Sequence, residues 1–252
     1  MRITSPASAH PLRVELDNQE ETFAKAFQIL HAGVAQRAFP SASVAITQSG
    51  SLISLKGLGQ FTYETDSPAV TIETVFDLAS VSKVLAATTM ASILYERGIL
   101  DLDAPLAGVV PEFLAGDMRR NAVTFRMLLA HSSGLPAYEK LFLRAKNRDE
   151  LLRDALAVPL HHEPGTHAEY SDIGFILLGV ALERVADETL DRFCQREVFG
   201  PLGMLHITFN PPAIWKSNTA PTADDRTFRQ RVIQGEVQDE NASALGGVAG
   251  HA

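Results

Sequence analysis

The period of the apolar residues changes twice along this chain, and that change bounds the folds open to it. Between Asp17 and Arg37, Phe23, Phe27, Leu30 and Val34 recur at helical spacing, with Asp17 placed to cap the helix. From Ser43 to Thr47 and again from Leu52 to Lys56 the residues alternate around Ser49-Gly50, which predicts a β-hairpin. Thr74 to Leu78 can form a further short extended segment. Helical spacing returns at Ser80: Val84, Leu85, Ala87, Met90, Ile93 and Leu94 lead to Gly98 with few polar residues before Glu96, which predicts a largely buried helix.

From Gly98 to about Gly203 the pattern is of helices joined by Pro- and Gly-containing loops. Thr124 is a good cap for Phe125 to His131, Arg148-Asp149 opens another helix, and Ser171 or Asp172 opens a third that runs to about Val185. A fourth follows Asp187-Glu188-Thr189 and stops at Gly200-Pro201, and from Pro211 the chain reads as loop-rich. The whole predicts an α+β protein. A sheet-containing subdomain is expected from 12–98 and 204–252, and a helical subdomain from 99–203.

Composition closes off several functions. The 252 residues are 46% hydrophobic and 21% charged, enough for one large domain or two subdomains. A net charge of -8 argues against sequence-independent nucleic-acid binding, and the one notable basic pair, Arg119-Arg120, reads as solvated. Cys194 is the only cysteine, which excludes an intrachain disulfide and a thiolate metal cluster and leaves a small buried thiol as its reading. No segment approaches a membrane span, and Met1 to Pro11 holds no apolar run like that of a signal peptide, so a cytoplasmic location is the default expectation. His161, His162, Glu163 and His167 are close in sequence, but adjacent histidines point apart and no H-E-x-x-H pattern occurs, so neither metal nor cofactor is expected. Nothing in the sequence specifies an oligomeric state.

The chemistry concentrates at Ser80-Val81-Ser82-Lys83. Residues three apart on a helix are neighbours, so a hydroxyl and an amine share one face. At a helix start, unpaired N–H groups favour negative charge developing next to Ser80, and Lys83 can take its proton. The plainer alternative is a cap at Ser80 with a solvated Lys83. Tyr170 stands directly before a helix start and is a candidate acid or base; its alternative is a core tyrosine. His131, at the end of a helix running into Ser132-Ser133-Gly134-Leu135-Pro136, reads as a structural residue that ties down the turn.

Taken together, Phe76 to Lys83, Leu128 to Pro136, Pro164-Gly165-Thr166 with Tyr170-Ser171-Asp172, and Pro201-Leu202-Gly203-Met204 resemble serine hydrolases related to class C β-lactamases. That family includes penicillin-binding DD-peptidases and esterases. The resemblance covers about Gln28 to the end of the chain. It implies an antiparallel sheet flanked by helices, packed against a helical subdomain, as in β-lactamases and penicillin-binding proteins. It also implies that Ser80 is the nucleophile, that Lys83 holds and deprotonates it, and that Tyr170 shuttles protons. Asp172 stands where the family often has Asn and adds a negative charge. Asp172 and Ser82 are expected to contact substrate or support the reacting pair.

The family's third motif, K-T-G or H-x-G on a sheet-edge strand, is read as absent from this chain. Gly250-His251-Ala252 resembles only its beginning, which predicts a C-terminally incomplete copy with strands missing and little turnover of its own. Three functions stay open on this reading. One is a serine acyl hydrolase of an ester, amide or β-lactam, acting on a small-molecule or peptide substrate. The second is a penicillin-binding sensor acylated without turnover. The third is an inactive scaffold.

Overall fold

Ser49 and Gly50 both adopt left-handed backbone conformations, with φ of 49° and 80°, which is the geometry that joins two antiparallel strands through a two-residue turn. They link β2 (Ser41–Gln48) to β3 (Ser51–Gly59), paired from Ser41 opposite Gly59 to Gln48 opposite Ser51 with a register shift between Ile46 and Thr47. The structure is a computed structural model and describes residues 12–114 and 116–250. The stretch Met1 to Pro11 and the pair His251-Ala252, both interpreted above, lie outside the described residues.

By its internal contacts the chain divides into two compact units. The first takes in the chain up to Asp77 together with Pro211–Gly235; the second is Leu78–Asn210 with the chain from Glu236 onward. The Ser80 segment therefore belongs with the helices that follow it.

In the first unit, a short strand β1 (Arg13–Val14) joins the hairpin in the order β1-β3-β2. It runs parallel to β3, so the sheet is mixed where a purely antiparallel one was expected. The helix expected over Asp17 to Arg37 is two, α1 (Gln19–Thr22) and α2 (Ala24–Ala35), broken at Phe23. Phe27 is the buried residue of α2, and the Lys56 ammonium sits 4.4 Å from its ring centre while pairing with Glu20 at 2.6 Å. Of the extended segment expected at Thr74 to Leu78, one bridge remains, between Val75 and Thr219. The loop-rich tail also holds a small ribbon, β4 (Ala223–Asp225) and β5 (Arg231–Ile233). Its turn is built on Asp225, whose carboxylate accepts the N–H groups of Thr227, Phe228 and Arg229 at 2.9 to 3.1 Å.

In the second unit the segment after Asp77 departs from the single helix that the sequence predicts. Ala79–Val81 is a 3₁₀ turn, Lys83–Thr88 is π-helical, and only Thr89–Glu96 (α3) is regular α-helix. Four further helices begin at sequence-encoded caps. Thr124 accepts from the Met127 N–H ahead of α4 (Phe125–Leu129), and Asn147 accepts from Glu150 ahead of α5 (Arg148–Ala157). Ser171 accepts from Gly174 ahead of α6 (Asp172–Ala186), and Asp239 accepts from Ala242 ahead of α8 (Glu240–Ala244). Each such bond satisfies an N–H that the helix cannot. The remaining helix, α7 (Leu190–Cys194), runs on into a π turn at Gln195–Phe199.

The core of this unit packs Ala86, Ala87, Met90, Ala91 and Leu94 with α6, whose residues Ile173 to Gly179 are all buried. Phe113, Phe125, Leu128, Leu151 and Phe193 complete it. Cys194 lies inside as expected, and burial pushes its thiol up to about 12, so it is inert packing. The solvated reading of Arg119-Arg120 fails for Arg120, which is 2% exposed. Its guanidinium donates to the carbonyls of Phe113 at 2.9 Å, Val158 at 2.7 Å and Leu156. No helix among the described residues is long and apolar enough to cross a membrane.

Candidate active site

Two local departures from regular helix set up the Ser80 segment. Ala79 has φ of 44°, a region in which a residue with a β-carbon is strained, and such strain concentrates where a fold fixes one group tightly. Ala79 opens a 3₁₀ turn that carries Ser80, and Lys83, three residues on, opens the π-helical stretch that follows. Ser80 is exposed while Lys83 is 3% exposed. The Lys83 ammonium donates to Ser80 Oγ at 2.9 Å.

Lys83 is held from the other side by α6. Its Nζ lies 2.7 Å from Oδ1 of Asp172, and that buried oxygen accepts no hydrogen bond of ordinary angle, so the ammonium is its counter-charge. Asp172 occupies the first turn of α6, where the helix end favours an anion. The same Nζ lies 4.8 Å from the ring centre of Tyr170 and 5.8 Å from that of Phe175, within reach of cation–π attraction. Tyr170 is half exposed, and its hydroxyl has no hydrogen-bond partner among the described residues. The structure thus brings together Ser80, Lys83, Tyr170 and Asp172. The Ser82 hydroxyl makes no hydrogen bond to them among the described residues.

The segment carrying Tyr170 and Asp172 lies along the turn after α4. Gly165 N–H donates to Ser132 O at 2.8 Å, Glu169 N–H to His131 O at 2.9 Å, and Asp172 N–H to Ala137 O at 2.8 Å. The Ser171 hydroxyl donates to Pro136 O at 2.7 Å, and the Ser171 N–H donates to Nδ1 of His131 at 3.0 Å. Gly134 is required in this turn: its φ is 83°, and a β-carbon there would overlap the carbonyl oxygen of His162.

His131 is thus a structural residue, as its sequence position indicates, but the fold gives it more to do than close a turn. Its ring lies 4.5 Å from that of Tyr170 and 4.9 Å from that of Phe175, centre to centre. Burial and the Lys83 charge lower its pKa, opposed by Asp172. The histidine-rich stretch does not form a ligand set: His162 stacks on His167 at 4.4 Å and faces Glu169 at 3.7 Å, and no three His, Cys, Asp or Glu side chains converge for a metal among the described residues. An H-x-G triplet does occur at His31-Ala32-Gly33, but it lies inside α2 and not on a strand.

The arrangement is an exposed serine hydroxyl on a strained turn, an enclosed lysine in contact with it, and a tyrosine ring over the lysine ammonium. The family model for Beta-lactamase matches residues 26–252, and the chain belongs to that family. It is 30% identical over 244 residues to the N-acetylmuramyl-L-alanine amidase of Bacillus subtilis strain 168, an alignment that takes in 85% of this chain and 55% of that protein. A class C β-lactamase structure superposes with a TM-score of 0.74 at 25% identity, covering 91% of this chain and 62% of the other. EstCE1, a hydrolase with promiscuous acyltransferase activity, shares the fold with a TM-score of 0.72 at 24% identity, over 93% of this chain and 69% of the other. The mixed α+β, β-lactamase and penicillin-binding-protein-like architecture expected from the motifs is therefore the observed one. The chain spans about half the length of the relatives it matches in sequence.

Proposed function

We propose that the chain carries the acylation centre of a serine hydrolase that opens an ester, amide or β-lactam bond through an acyl-enzyme at Ser80. The observation that carries this reading is the 2.9 Å contact between Lys83 Nζ and Ser80 Oγ, with the Tyr170 ring 4.8 Å from the same nitrogen. Lys83 first gives one proton to solvent; as the free amine it then takes the proton of Ser80 Oγ, which attacks the substrate carbonyl carbon. The Ser80 N–H, at the head of its turn, steadies the oxyanion. Collapse of that intermediate breaks the bond to the leaving group, which takes a proton from the Tyr170 hydroxyl, and Tyr170 recovers one from Lys83. Deacylation repeats the sequence with water as nucleophile. Asp172 keeps the lysine aligned by its charge.

The substrate class is a small acyl donor or a peptide, and the amidase relative supports an amide. Because the chain spans half of such relatives, acylation tests the reading more directly than turnover. A fluorescent fluorophosphonate and a fluorescent penicillin should each label wild type on the peptide containing Ser80, with labelling lost in Ser80→Ala and reduced at least about a hundredfold in rate in Lys83→Met. Equal labelling of Ser80→Ala would overturn the assignment. A penicillin adduct that forms fast and never releases product would favour the sensor reading, and no labelling by either probe the inactive scaffold.

A further inference from the structure

We propose that His131 is a positioning residue of this site: its neutral ring holds Tyr170 against one face and, through the Nδ1 lone pair, fixes the backbone between Tyr170 and Asp172. The inference rests on the serine-hydrolase reading above and adds to it a group that never touches substrate.

Three observations carry it. Nδ1 accepts the Ser171 N–H at 3.0 Å, so the proton of the neutral ring sits on Nε2. That accepted N–H belongs to the residue between the two that flank the Lys83 ammonium. The imidazole also stacks with Tyr170, which has no hydroxyl partner among the described residues to orient it, and with Phe175 of α6. Finally, His131 has φ of 54°, which aims its side chain back across the turn at the 165–172 segment; asparagine tolerates that conformation as well.

Protonating Nδ1 would turn the acceptor into a donor facing another donor, and the bond to Ser171 would be lost. The charged and titratable groups around the ring are Lys83 from the π-helical turn, Asp172 from α6, and Tyr170 before it. Burial and Lys83 disfavour the imidazolium while Asp172 favours it, with burial the largest influence. The ring is therefore neutral at neutral pH, and the site should loosen as acid protonates it.

The test is the second-order rate of phosphonylation of Ser80 by a fluorophosphonate, measured on the full 252-residue chain between about pH 5 and 8. Wild type should slow on the acid side. His131→Asn, whose Oδ1 stands near the place of Nδ1 without titrating but which gives up the stack on Tyr170, should react several-fold more slowly than wild type at pH 8 and lose the acid-side step that histidine contributes. His131→Phe keeps the stack but no acceptor, and should slow about tenfold or more at all pH values. The Ser171 amide should exchange slowly in wild type and His131→Asn and fast in His131→Phe. A wild-type acid step retained in His131→Asn, or a wild-type rate in a folded His131→Phe, would sink the proposal. If His131→Phe does not fold, the profile of His131→Asn decides alone. Wild-type protein unlabelled at Ser80 would instead overturn the hydrolase reading beneath it.

Discussion

Lys83 and Asp172 meet at 2.7 Å with the lysine side chain 4% exposed and the aspartate 19%. An enclosed pair of this kind stands on a narrow balance, because desolvation of each charge offsets most of their attraction. Asp172→Ala leaves an enclosed ammonium unmatched and is expected to destabilise the second unit by roughly 2 to 4 kcal/mol. Lys83→Met should cost a similar amount, and Lys83→Met with Asp172→Leu should recover much of it. Urea midpoints of the four proteins check this; equal and additive losses would show that the two charges do not depend on each other.

The depressed pKa of His131 also sets a pH dependence of stability. In the unfolded chain the imidazole binds a proton below about 6.5, whereas in the fold it resists doing so. The unfolded state therefore gains protons first, and the stability attributable to a neutral His131 is complete above that value and lost as pH falls toward its lowered one. Melting temperatures of wild type and His131→Asn should converge, or cross in favour of the variant, between about pH 7 and 5. A constant difference across that range would mean that His131 titrates normally.

Arg120 makes a separate demand on the helical unit. Its guanidinium satisfies three carbonyls from two other segments, so Arg120→Met would keep volume but strand Phe113, Leu156 and Val158 oxygens away from water. The expected loss is about 2 to 4 kcal/mol, with acylation per folded molecule unchanged. A shift in urea midpoint at constant slope is the readout.

Asp225 ties together the β4–β5 ribbon. Backbone N–H groups of Phe228 and Arg229 hold its carboxyl well below the usual carboxylate range, with the Arg229 side chain adding to the effect. Its contribution is present above about pH 4 and disappears as pH falls through the lowered value. Asp225→Asn should therefore flatten the acid side of the stability profile and speed amide exchange at Thr222 and Ile233. Unchanged exchange there would show that the ribbon does not rely on the charge.

Much of the fold is written in local patterns. The Ser49-Gly50 hairpin and the caps at Thr124 and Ser171 are short-range devices, with the turn or the bond closing within four residues, and sequence reading places them correctly. Burial of Arg120 is not local: its acceptors Leu156 and Val158 lie 36 and 38 residues away. Nor does a two-residue parallel strand at Arg13-Val14 leave a periodic trace. At the site, the spacing of Ser80 and Lys83 conveys their contact, although it is made from a 3₁₀ turn to a π-helical stretch in place of the α-helix expected. Tyr170 is marked as a candidate acid or base by its position before a helix start, and its assignment to the same site as Ser80 and Lys83 comes from the resemblance. The His131 bond to Ser171 spans 40 residues, and its one sequence trace is a histidine at the end of a helix that turns on Gly134.

The π-helical stretch at Lys83–Thr88 has a consequence for how this chain can vary. It fixes the rotation of Ser80 and Lys83 relative to the buried stripe of Ala87, Met90 and Leu94 farther along. A π turn holds about one residue more than an α turn, so removing one residue from 83–88 would let the stretch relax to regular α-helix with little rotation of the reactive pair, whereas inserting one residue into α3 would swing the pair by about 100° around the axis. Changes of length are therefore not equivalent along this helix: a one-codon deletion at the π turn is absorbed there and leaves the reactive pair near its place, whereas an insertion in α3 would turn the pair away from Tyr170.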